Sequence, residues 1–354
     1  MALIVCLVMG IFLFYLMPIF GIAPKTNLVF QILGFGFFSF VLRRVVYTLF
    51  SKQFVRPVIL VGKTAYLNEL HETIKTNPQL GLKLISYTSN LHESLAKYAD
   101  VKNLVFILES ISNEIPKNDI VTLYENKTEV IDVALAYERY LYKIPIGYIS
   151  QGWIIQNINT KKDIAYDFVT RVFNIIFAFI VILISSPFWI ISALLIYLYD
   201  RGPVFYTQER VGLHGKTFRV YKLRSMIINS EKDGVAWSSV NDSRITSVGR
   251  IIRKLHIDEI PQMVNILKGD ISFVGPRSER PEFVKLLEKS IPHYELRHII
   301  RPGFTGWAQI KYRYARTKEE SEKKFEYDLY YIKNRNIFID IGIIMRTIQI
   351  IFTH

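Results

Sequence analysis

The sequence contains one cysteine among 354 residues, Cys6, and it lies in an apolar segment. A single cysteine forms no intramolecular disulfide and supplies too few thiolates for a cysteine-based zinc site. The seven histidines include no pair at the HxxxH spacing. These absences exclude a disulfide-stapled scaffold and a cysteine-based zinc centre.

Acidic residues are scarce relative to basic ones: 31 Asp and Glu face 44 Lys and Arg, which gives a net charge of +13. The segment from Arg201 to Arg335 carries +10 of this charge. A positive surface suits an anionic partner such as phosphate, a nucleotide or an acidic lipid headgroup. No helix-turn-helix or zinc-finger pattern accompanies the charge, so we expect no nucleic-acid partner.

Two apolar runs open the chain. Residues 1–24 carry no charged side chain, and a second run from Asn27 to Leu42 is followed by Arg43 and Arg44. The first run has the length that crosses a bilayer of ~30 Å. By the positive-inside rule the two runs form a transmembrane hairpin over residues 1–50 with both ends in the cytoplasm. A secretory signal peptide is the competing interpretation, but no basic segment precedes the apolar run.

A third apolar stretch runs from Phe168 to Tyr199 and contains Pro187. Basic residues flank both of its ends, so charge does not assign the ends to opposite sides of the membrane. A re-entrant helix broken at Ser186 and Pro187 satisfies both flanks, because proline removes a backbone donor and serine hydroxyls can bond the freed carbonyls. A spanning helix with a proline kink is the alternative, and the two stay open.

The soluble segments have different patterns. From Arg56 to about Ser150, buried-type strands alternate with a helix, which predicts a small α/β unit. Its first strand ends at Gly62 without the GxGxxG dinucleotide fingerprint, so this Rossmann-like unit is interpreted as degenerate. The basic segment from Arg201 is rich in Gly and Pro turns, with short helices expected at 261–268 and 281–289. The apolar tail, 337–352, is either an interfacial helix or a packed core helix.

Asp258 and Glu259 are the residues best suited to chemistry in the basic segment. Neighbouring side chains on a helix diverge, so these two carboxylates do not form a proton-sharing dyad. Diverging carboxylates suit two separate tasks: one attacks or accepts at the substrate, and the other holds a hard cation such as Mg²⁺. The alternative is that Pro261 begins a helix and both acids complement its N-terminal dipole.

Several cations in this segment stand beside Gly or Pro turns, which hold side chains in position. Guanidinium groups bind phosphate oxygens bidentately, so a convergent set would form a diphosphate site. A basic solvated face or a lipid-headgroup surface is the competing interpretation. The candidate substrate-binding residues are Lys222, Arg224, Arg253, Arg277, Arg280, Arg301 and Arg313.

A series of motifs follows in order from the third apolar stretch to the end of the basic segment: Ser186-Pro, Gly202-Pro-Val-Phe-Tyr, Gln208-Glu-Arg-Val-Gly, Tyr221-Lys-Leu-Arg-Ser-Met, Asp258-Glu-Ile-Pro-Gln, Asn265-Ile-Leu-Lys-Gly-Asp, Phe273-Val-Gly-Pro-Arg, Arg301-Pro-Gly-Phe-Thr-Gly-Trp-Ala-Gln and Tyr327-Asp-Leu-Tyr-Tyr-Ile-Lys-Asn. Taken together, these motifs resemble the bacterial polyprenyl-phosphate sugar-1-phosphate transferases (undecaprenyl-phosphate hexose phosphotransferases), which begin surface-glycan assembly. The resemblance covers about residues 167–347, and the Ser-Glu-Arg-Pro-Glu-Phe sequence after Arg277 resembles the exopolysaccharide-initiating subgroup.

The resemblance implies roles for particular residues. It places the aspartate nucleophile on Asp258, a Mg²⁺ ligand on Glu259 and the re-entrant break on Ser186-Pro187. It places the phosphate-binding cations on Lys222, Arg253, Arg277, Arg301 and Arg313. Small members have Asn-Gly-Arg where this chain has Lys311-Tyr-Arg, so the resemblance does not carry over the sugar.

These inferences combine into one expectation for the whole chain, an α/β multidomain membrane protein. We expect a transmembrane hairpin at 1–50, a degenerate Rossmann-like domain at 51–150, a linker and re-entrant helix at 151–200, and a mainly α-helical monotopic catalytic domain with C-terminal interfacial helices at 201–354. The domain would act at the cytoplasmic face of the bacterial inner membrane.

The expected activity is transfer of a sugar 1-phosphate from a UDP-sugar to polyprenyl phosphate. Further partners considered are membrane lipid, downstream glycosyltransferases and a second copy of the chain. The alternative functions are a non-catalytic basic membrane scaffold and a nucleotide-sugar oxidoreductase or dehydratase.

Overall fold

The computed structural model divides the chain into two compact units, residues 1–133 and 134–354. It describes residues 33–45, 55–98, 101–109, 121, 123–158, 164–228, 230, 242–312 and 317–353. Most of the expected hairpin at 1–50 lies outside the described residues. Within it, residues 33–45 form a helix, α1.

The first unit contains a four-stranded parallel sheet with strand order β2-β1-β3-β4. Parallel neighbours joined through helices are the arrangement that alternating strand and helix patterns predict, so the predicted α/β class is confirmed here. Its remaining elements are β1 (Arg56–Val61), α2 (Ala65–Thr76), β2 (Leu82–Thr88), α3 (Leu91–Tyr98), β3 (Val105–Leu108) and β4 (Glu129–Asp132).

Apolar runs of the central strands make the core of the first unit. All four residues of β3 are buried, as are Val58 to Val61 of β1, because helices cover a parallel sheet on both faces. The chain leaves β1 at Gly62, where φ is +133° and a Cβ atom would lie 2.7 Å from the Leu67 side chain. Thr64 then caps α2 by accepting a hydrogen bond from the Leu67 amide.

The second unit has short strands and many helices. Two two-stranded sheets are described, the antiparallel pair β5-β6 and the parallel pair β7-β8. The helices expected at 261–268 and 281–289 are present, whereas the β5-β6 hairpin was not expected. The elements from the division onward are α4 (Val133–Ala136), α5 (Gln151–Asn157), α6 (Ile164–Asp200), β5 (Phe205–Val211), β6 (Thr217–Leu223), α7 (Ser247–Lys254), α8 (Gln262–Lys268), β7 (Ser272–Val274), α9 (Pro281–Ser290), β8 (Gly303–Thr305), α10 (Trp307–Lys311), α11 (Lys318–Asn334) and α12 (Ile337–Phe352).

The second unit begins well before residue 150, the boundary expected from sequence. Ile144 and Ile146 are buried in one cluster with Phe325 and Leu329 of α11. The backbone amide of Ile144 also donates to the carbonyl oxygen of Glu326 at 3.0 Å. These contacts make the segment part of the second unit.

Helix α6 is the one described helix long and apolar enough to cross a membrane. It continues through Pro187, so two helices separated by an interruption are not observed. Proline lacks the amide that would bond the carbonyl of Leu183 four residues earlier. The Ser186 hydroxyl donates to that carbonyl at 2.8 Å instead. The expected serine contact is therefore present, and the re-entrant path through the membrane stays a prediction.

Both ends of α6 pack against other elements of the second unit. Near its start, the Arg171 guanidinium donates to the carbonyls of Ile266 and Leu267, each at 2.6 Å, at the C-terminal end of α8. Near its end, Ile196 is buried with Leu223 and Ile252. Between these contacts large apolar side chains are exposed, as a lipid-facing surface requires: Phe179, Leu183, Ile184, Phe188, Ile190 and Ile191.

Helix α12 has one packed face and one exposed apolar face. The Asp340 carboxylate accepts hydrogen bonds from the Tyr166 hydroxyl at 2.7 Å and the Tyr331 hydroxyl at 2.8 Å. Ile343 is fully buried, whereas Phe338 is 78% exposed. The packed interpretation of the tail is thus confirmed for one face, and insertion of the other face into a membrane interface stays a prediction.

Candidate active site

The two adjacent carboxylates lie on a short 3₁₀ turn, Ile257–Glu259, between α7 and α8. His256 begins the turn with φ +55°, a left-handed conformation that few non-glycine residues adopt. Helix α8 begins at Gln262, with Pro261 before it. The chain thus places Asp258 and Glu259 at a fixed position before a helix.

Asp258 is buried but has no hydrogen-bond partner in the part of the chain that the structure describes. Its residue is 8% exposed. Burial, followed by the negative charge of Glu259, raises the pKa of Asp258 to about 6, although Lys222 and Arg253 work in the opposite direction. A buried carboxylate without donors is poorly stabilised in its charged form, which makes it reactive toward an electrophile.

Glu259 has the opposite environment. Its Oε1 accepts a hydrogen bond from the Lys222 ammonium at 2.7 Å and from the Arg277 guanidinium at 3.2 Å. Burial works to raise the pKa of Glu259, but the two cations outweigh it and hold that pKa well below its usual range. The two carboxylates therefore differ in environment: Glu259 is ion-paired with two cations, whereas Asp258 is not. The separate roles expected from the sequence stay predictions.

Asn265 of α8 holds Lys222 in register with the acidic turn. This fully buried amide accepts from the Tyr221 backbone amide at 3.1 Å and donates to the Arg219 carbonyl at 2.8 Å, both on β6. Its side chain also donates to Asp270 at 3.0 Å. The Asn265-to-Asp270 motif thereby ties the helix that follows the acidic turn to the strand that carries Lys222.

Arg277 lies on a loop that close backbone contacts hold in place. Gly275 donates to the Thr305 carbonyl at 2.9 Å, and Gly303 donates to the Pro276 carbonyl at 2.9 Å. A Cβ atom on Gly303 would lie 2.1 Å from the Gly275 amide nitrogen, so only glycine allows this approach. The loop of Arg301, an exposed residue, is thereby fastened to the loop of Arg277.

The remaining predicted cations occupy different places. The Arg253 Nε donates to the Ser225 hydroxyl at 2.7 Å, near the end of β6. Arg224 forms an ion pair with Asp200, the last residue of α6, so its guanidinium stabilises the C-terminal end of the apolar helix. Arg280 lies 3.4 Å from Glu282 at the start of α9. Arg313 lies outside the described residues.

Sequence reasoning missed three charged residues at or beside the Arg277 loop: Arg210, Glu279 and Lys324. The Arg210 guanidinium donates to the Ser278 carbonyl at 3.0 Å and lies 3.7 Å from the Glu279 carboxylate. Lys324 lies 3.5 Å from the same carboxylate. Arg210 and Glu279 lie within motifs that carry the family resemblance. Their positions in those motifs were the sequence feature that could have identified them.

The donor set suits a metal shared with a substrate. The described residues contain no group of three or more His, Cys, Asp and Glu side chains arranged around a common point. Mg²⁺ usually keeps several waters and binds one or two carboxylates together with substrate phosphates. Two adjacent carboxylates beside two cations that are candidates for phosphate binding fit that mode, with Glu259 as the expected protein ligand.

Comparison with known proteins agrees with these features. The model of the bacterial sugar transferase family matches residues 165–354. An Aeromonas hydrophila relative named UDP-N-acetylgalactosamine-undecaprenyl-phosphate N-acetylgalactosaminephosphotransferase is 46% identical over 188 residues, 53% of this chain and 44% of the relative. The Escherichia coli K12 UDP-glucose:undecaprenyl-phosphate glucose-1-phosphate transferase is 28% identical over 310 residues, 83% of this chain and 67% of the relative.

A third relative is the undecaprenyl-phosphate galactose phosphotransferase of Salmonella typhimurium, 36% identical over 217 residues, 56% of this chain and 43% of the relative. The chain thus spans less than half the length of the Aeromonas and Salmonella relatives. The matched region contains α6, the acidic turn and the cations around it. On this evidence the chain belongs to the bacterial sugar transferase family.

Proposed function

We propose that this protein transfers a sugar 1-phosphate from a UDP-sugar to polyprenyl phosphate, in the relatives' case undecaprenyl phosphate, and releases UMP. The relatives are named as undecaprenyl-phosphate sugar phosphotransferases, which supports the acceptor and the reaction class. Their names specify three different sugars, so the sugar stays open. The single observation that carries the proposal is the unpaired, buried Asp258 beside an ion-paired Glu259.

Asp258 would act as the nucleophile. One carboxylate oxygen attacks the sugar-proximal phosphorus, a new P–O bond forms, and the bond to the departing UMP oxygen breaks. An oxygen of the polyprenyl phosphate then attacks the same phosphorus, and the bond to Asp258 breaks. The carboxylate is regenerated, and the product is a polyprenyl diphosphate sugar.

Lys222 and Arg277 would bind the diphosphate. Both cations are held by Glu259 in the described structure, so they are positioned before any substrate arrives. A substrate diphosphate would share them, because a cation with several donors can contact a carboxylate and a phosphate together. Mg²⁺, when bound through Glu259, would supply further compensation for the negative charge on the phosphates.

Helix α6 would place this chemistry at the membrane. One substrate is embedded in lipid and the other is dissolved, so the site has to stand at the interface between them. We propose that α6 enters and leaves the cytoplasmic face of the inner membrane, with its exposed apolar residues in lipid.

UMP release tests the proposed function. The purified protein in lipid nanodiscs is incubated with polyprenyl phosphate, Mg²⁺ and each of a panel of UDP-sugars. We expect UMP only when both substrates are present, and none from Asp258→Asn. NAD(P) turnover without UMP would favour a nucleotide-sugar oxidoreductase, and the absence of both activities with intact lipid binding would favour a scaffold.

A further inference from the structure

The motif Tyr327-to-Asn334 in α11 has no part in the chemistry proposed above. Its Asp328 is 1% exposed and forms an ion pair with Arg297, whose residue is 4% exposed; Asp328 Oδ2 and Arg297 Nε are 2.9 Å apart. A buried ion pair contributes little net stability, because desolvation of both charges offsets their attraction. The pair therefore calls for a role other than stability.

The guanidinium of Arg297 connects Asp328 to the Arg277 loop. Its Nε lies 2.9 Å from the Asp328 carboxylate as an ion pair without a hydrogen bond, one terminal nitrogen donates to the Tyr294 hydroxyl, and the other donates to the backbone carbonyl of Arg277 at 3.1 Å. The guanidinium also lies 5.0 Å from the centre of the Tyr294 ring. A planar guanidinium held by two hydrogen bonds and one ion pair has little freedom, so the carbonyl it bonds is held as well.

The carbonyl that Arg297 holds belongs to the residue that reaches the acidic turn. The Arg277 side chain donates to Glu259 at 3.2 Å. A continuous series of polar contacts thus runs from Asp328 through Arg297 and Arg277 to Glu259. Arg277 is a phosphate-binding candidate, so displacement of its backbone would move its guanidinium relative to the substrate.

We propose that the Arg297–Asp328 pair positions Arg277 for binding of the nucleotide diphosphate. The inference rests on the proposed function, since it assigns a task to residues outside that site. Arg297 and Asp328 are positioning residues: they touch neither the reacting atoms nor the acidic turn. Replacement of either residue should weaken diphosphate binding more than it lowers the rate at saturating substrate. A misplaced phosphate contact weakens binding of the ground state and of the transition state alike, so it raises KM and leaves kcat nearly unchanged.

Lys143 and Glu326 form a matched control in the same helix. Glu326 stands two residues before Asp328, its residue is 5% exposed, and its Oε2 lies 3.0 Å from the Lys143 ammonium. This second pair is buried to the same degree, yet the described contacts of Glu326 lead to Lys143 and to the backbone near Ile146. Glu326→Gln therefore removes an equivalent buried charge without touching Arg277.

The experiment compares Asp328→Asn, Arg297→Lys and Glu326→Gln in the full chain in lipid nanodiscs. UDP with Mg²⁺ is the binding probe, and thermal midpoints and UMP-release kinetics are measured alongside. Asp328→Asn and Arg297→Lys should weaken UDP binding and raise the KM for UDP-sugar roughly tenfold to a hundredfold, the penalty of a misplaced contact. Glu326→Gln should leave both within about twofold while lowering the thermal midpoint as much as Asp328→Asn does.

Each outcome has a distinct meaning. Equal loss of UDP affinity in Asp328→Asn and Glu326→Gln, or no loss in Asp328→Asn, would overturn the positioning role. Wild-type protein that binds UDP without releasing UMP would refute the proposed function alone, and the variant comparison by UDP binding would still decide the inference. Wild-type protein that does not bind UDP would overturn both.

Discussion

The two units differ in what they bury. Among the described residues of the first unit, Ser94 is the one polar side chain in the buried class, and the core consists of aliphatic and aromatic residues of the parallel sheet and its helices. The second unit buries Asp258, Asn265, Arg297 and Asp328 as well as Lys143 and Glu326. The first unit is held by apolar burial, whereas the second holds charges out of water at defined positions.

The difference matches what the proposed diphosphate site would require. Cations in water are mobile and screened, so they bind phosphate weakly and without a fixed geometry. A cation desolvated beside a buried carboxylate is held in place, and its interaction with an arriving phosphate is stronger in the low dielectric. The price is a core that tolerates the loss of any one partner poorly.

Replacement of the unpaired carboxylate should have the largest effect. Asp258→Asn keeps the shape of the side chain but removes the nucleophile, so UMP release should fall at least about a thousandfold, equivalent to roughly 4 kcal/mol of activation energy. The folded protein should survive and become more stable at pH 8, because the charged form of a buried carboxylate with a raised pKa opposes folding there. Thermal melting checks this, and a lower midpoint than wild type would contradict it.

Removal of the proline from α6 should also abolish activity. Simultaneous Ser186→Ala and Pro187→Leu replacement returns an amide for the Leu183 carbonyl and favours a straight path through this position of the 37-residue helix, which is about 55 Å long at 1.5 Å per residue. A straight helix of that length can span the bilayer, and a spanning path would move the second unit relative to the proposed lipid substrate.

The path of the native helix can be measured by cysteine labelling. With Cys6 replaced, single cysteines beside Lys162 and Arg210 are treated with an impermeant reagent in intact cells and in opened vesicles. We expect protection of both positions in intact cells and labelling of both in opened vesicles. Labelling beside Arg210 in intact cells would mean that α6 spans the membrane.

Loss of one carboxylate charge should lower the free energy of unfolding by different amounts in the two units. Glu259→Gln leaves the partly buried Lys222 and Arg277 without their anion, so it should lower the free energy of unfolding by about 1–3 kcal/mol. Glu129→Gln in the first unit removes a more exposed pair with Arg56 and should cost about 1 kcal/mol or less. Denaturant titration measures both, and equal costs would contradict the contrast between the units.

Glu259→Gln should also alter the metal requirement. A neutral amide is a weaker ligand for a hard cation than a carboxylate, so the Mg²⁺ concentration for half-maximal activity should rise or activity should disappear. Wild-type activity that persists in excess EDTA would refute a metal requirement, and an unchanged Mg²⁺ titration in the variant would remove Glu259 as the ligand.

A change of pH should alter the rate less than the substitutions above. The proposed attack by Asp258 requires its ionised form, and burial raises the pKa of Asp258 to about 6, so the rate should fall as the pH decreases through that value. Glu259, whose pKa is held well below its usual range, stays charged throughout and should contribute no step there. A rate that is flat between pH 5 and 8, measured under saturating substrate, would remove ionisation of Asp258 as the cause.

The sequence predicted the first unit better than the second, for a physical reason. Strands β1 and β3 contain continuous apolar runs, which hydrophobic pattern identifies directly. Strand β5 places Tyr206, Gln208 and Arg210 on its less exposed face, where they meet polar groups, so its alternation has no apolar signal. A hairpin whose less exposed face contacts a charged loop has no hydrophobic alternation, so hydrophobic periodicity does not identify its strands.

In the candidate site, too, the sequence identified some features and left others to the fold. Asp258 and Glu259 were identified from their motif, and the structure places Lys222 and Arg277 on Glu259 as convergent cations. Arg224 belongs to an equally basic motif, yet it pairs with Asp200 twenty-four residues earlier in the chain. Which cation faces the carboxylates depends on contacts distant in sequence, and those are set by the fold.

The covalent role of Asp258 is tested most directly by UMP release without the lipid acceptor. Rapid mixing of enzyme with a UDP-sugar and Mg²⁺, in the absence of polyprenyl phosphate, should give a burst of UMP approaching one per active site, because the first half-reaction needs no acceptor. Intact-protein mass should rise by one sugar phosphate, and proteolysis should place the adduct on the peptide that contains Asp258. Full turnover with both substrates but no burst and no adduct would mean direct transfer between the substrates, and would contradict a nucleophilic role for Asp258.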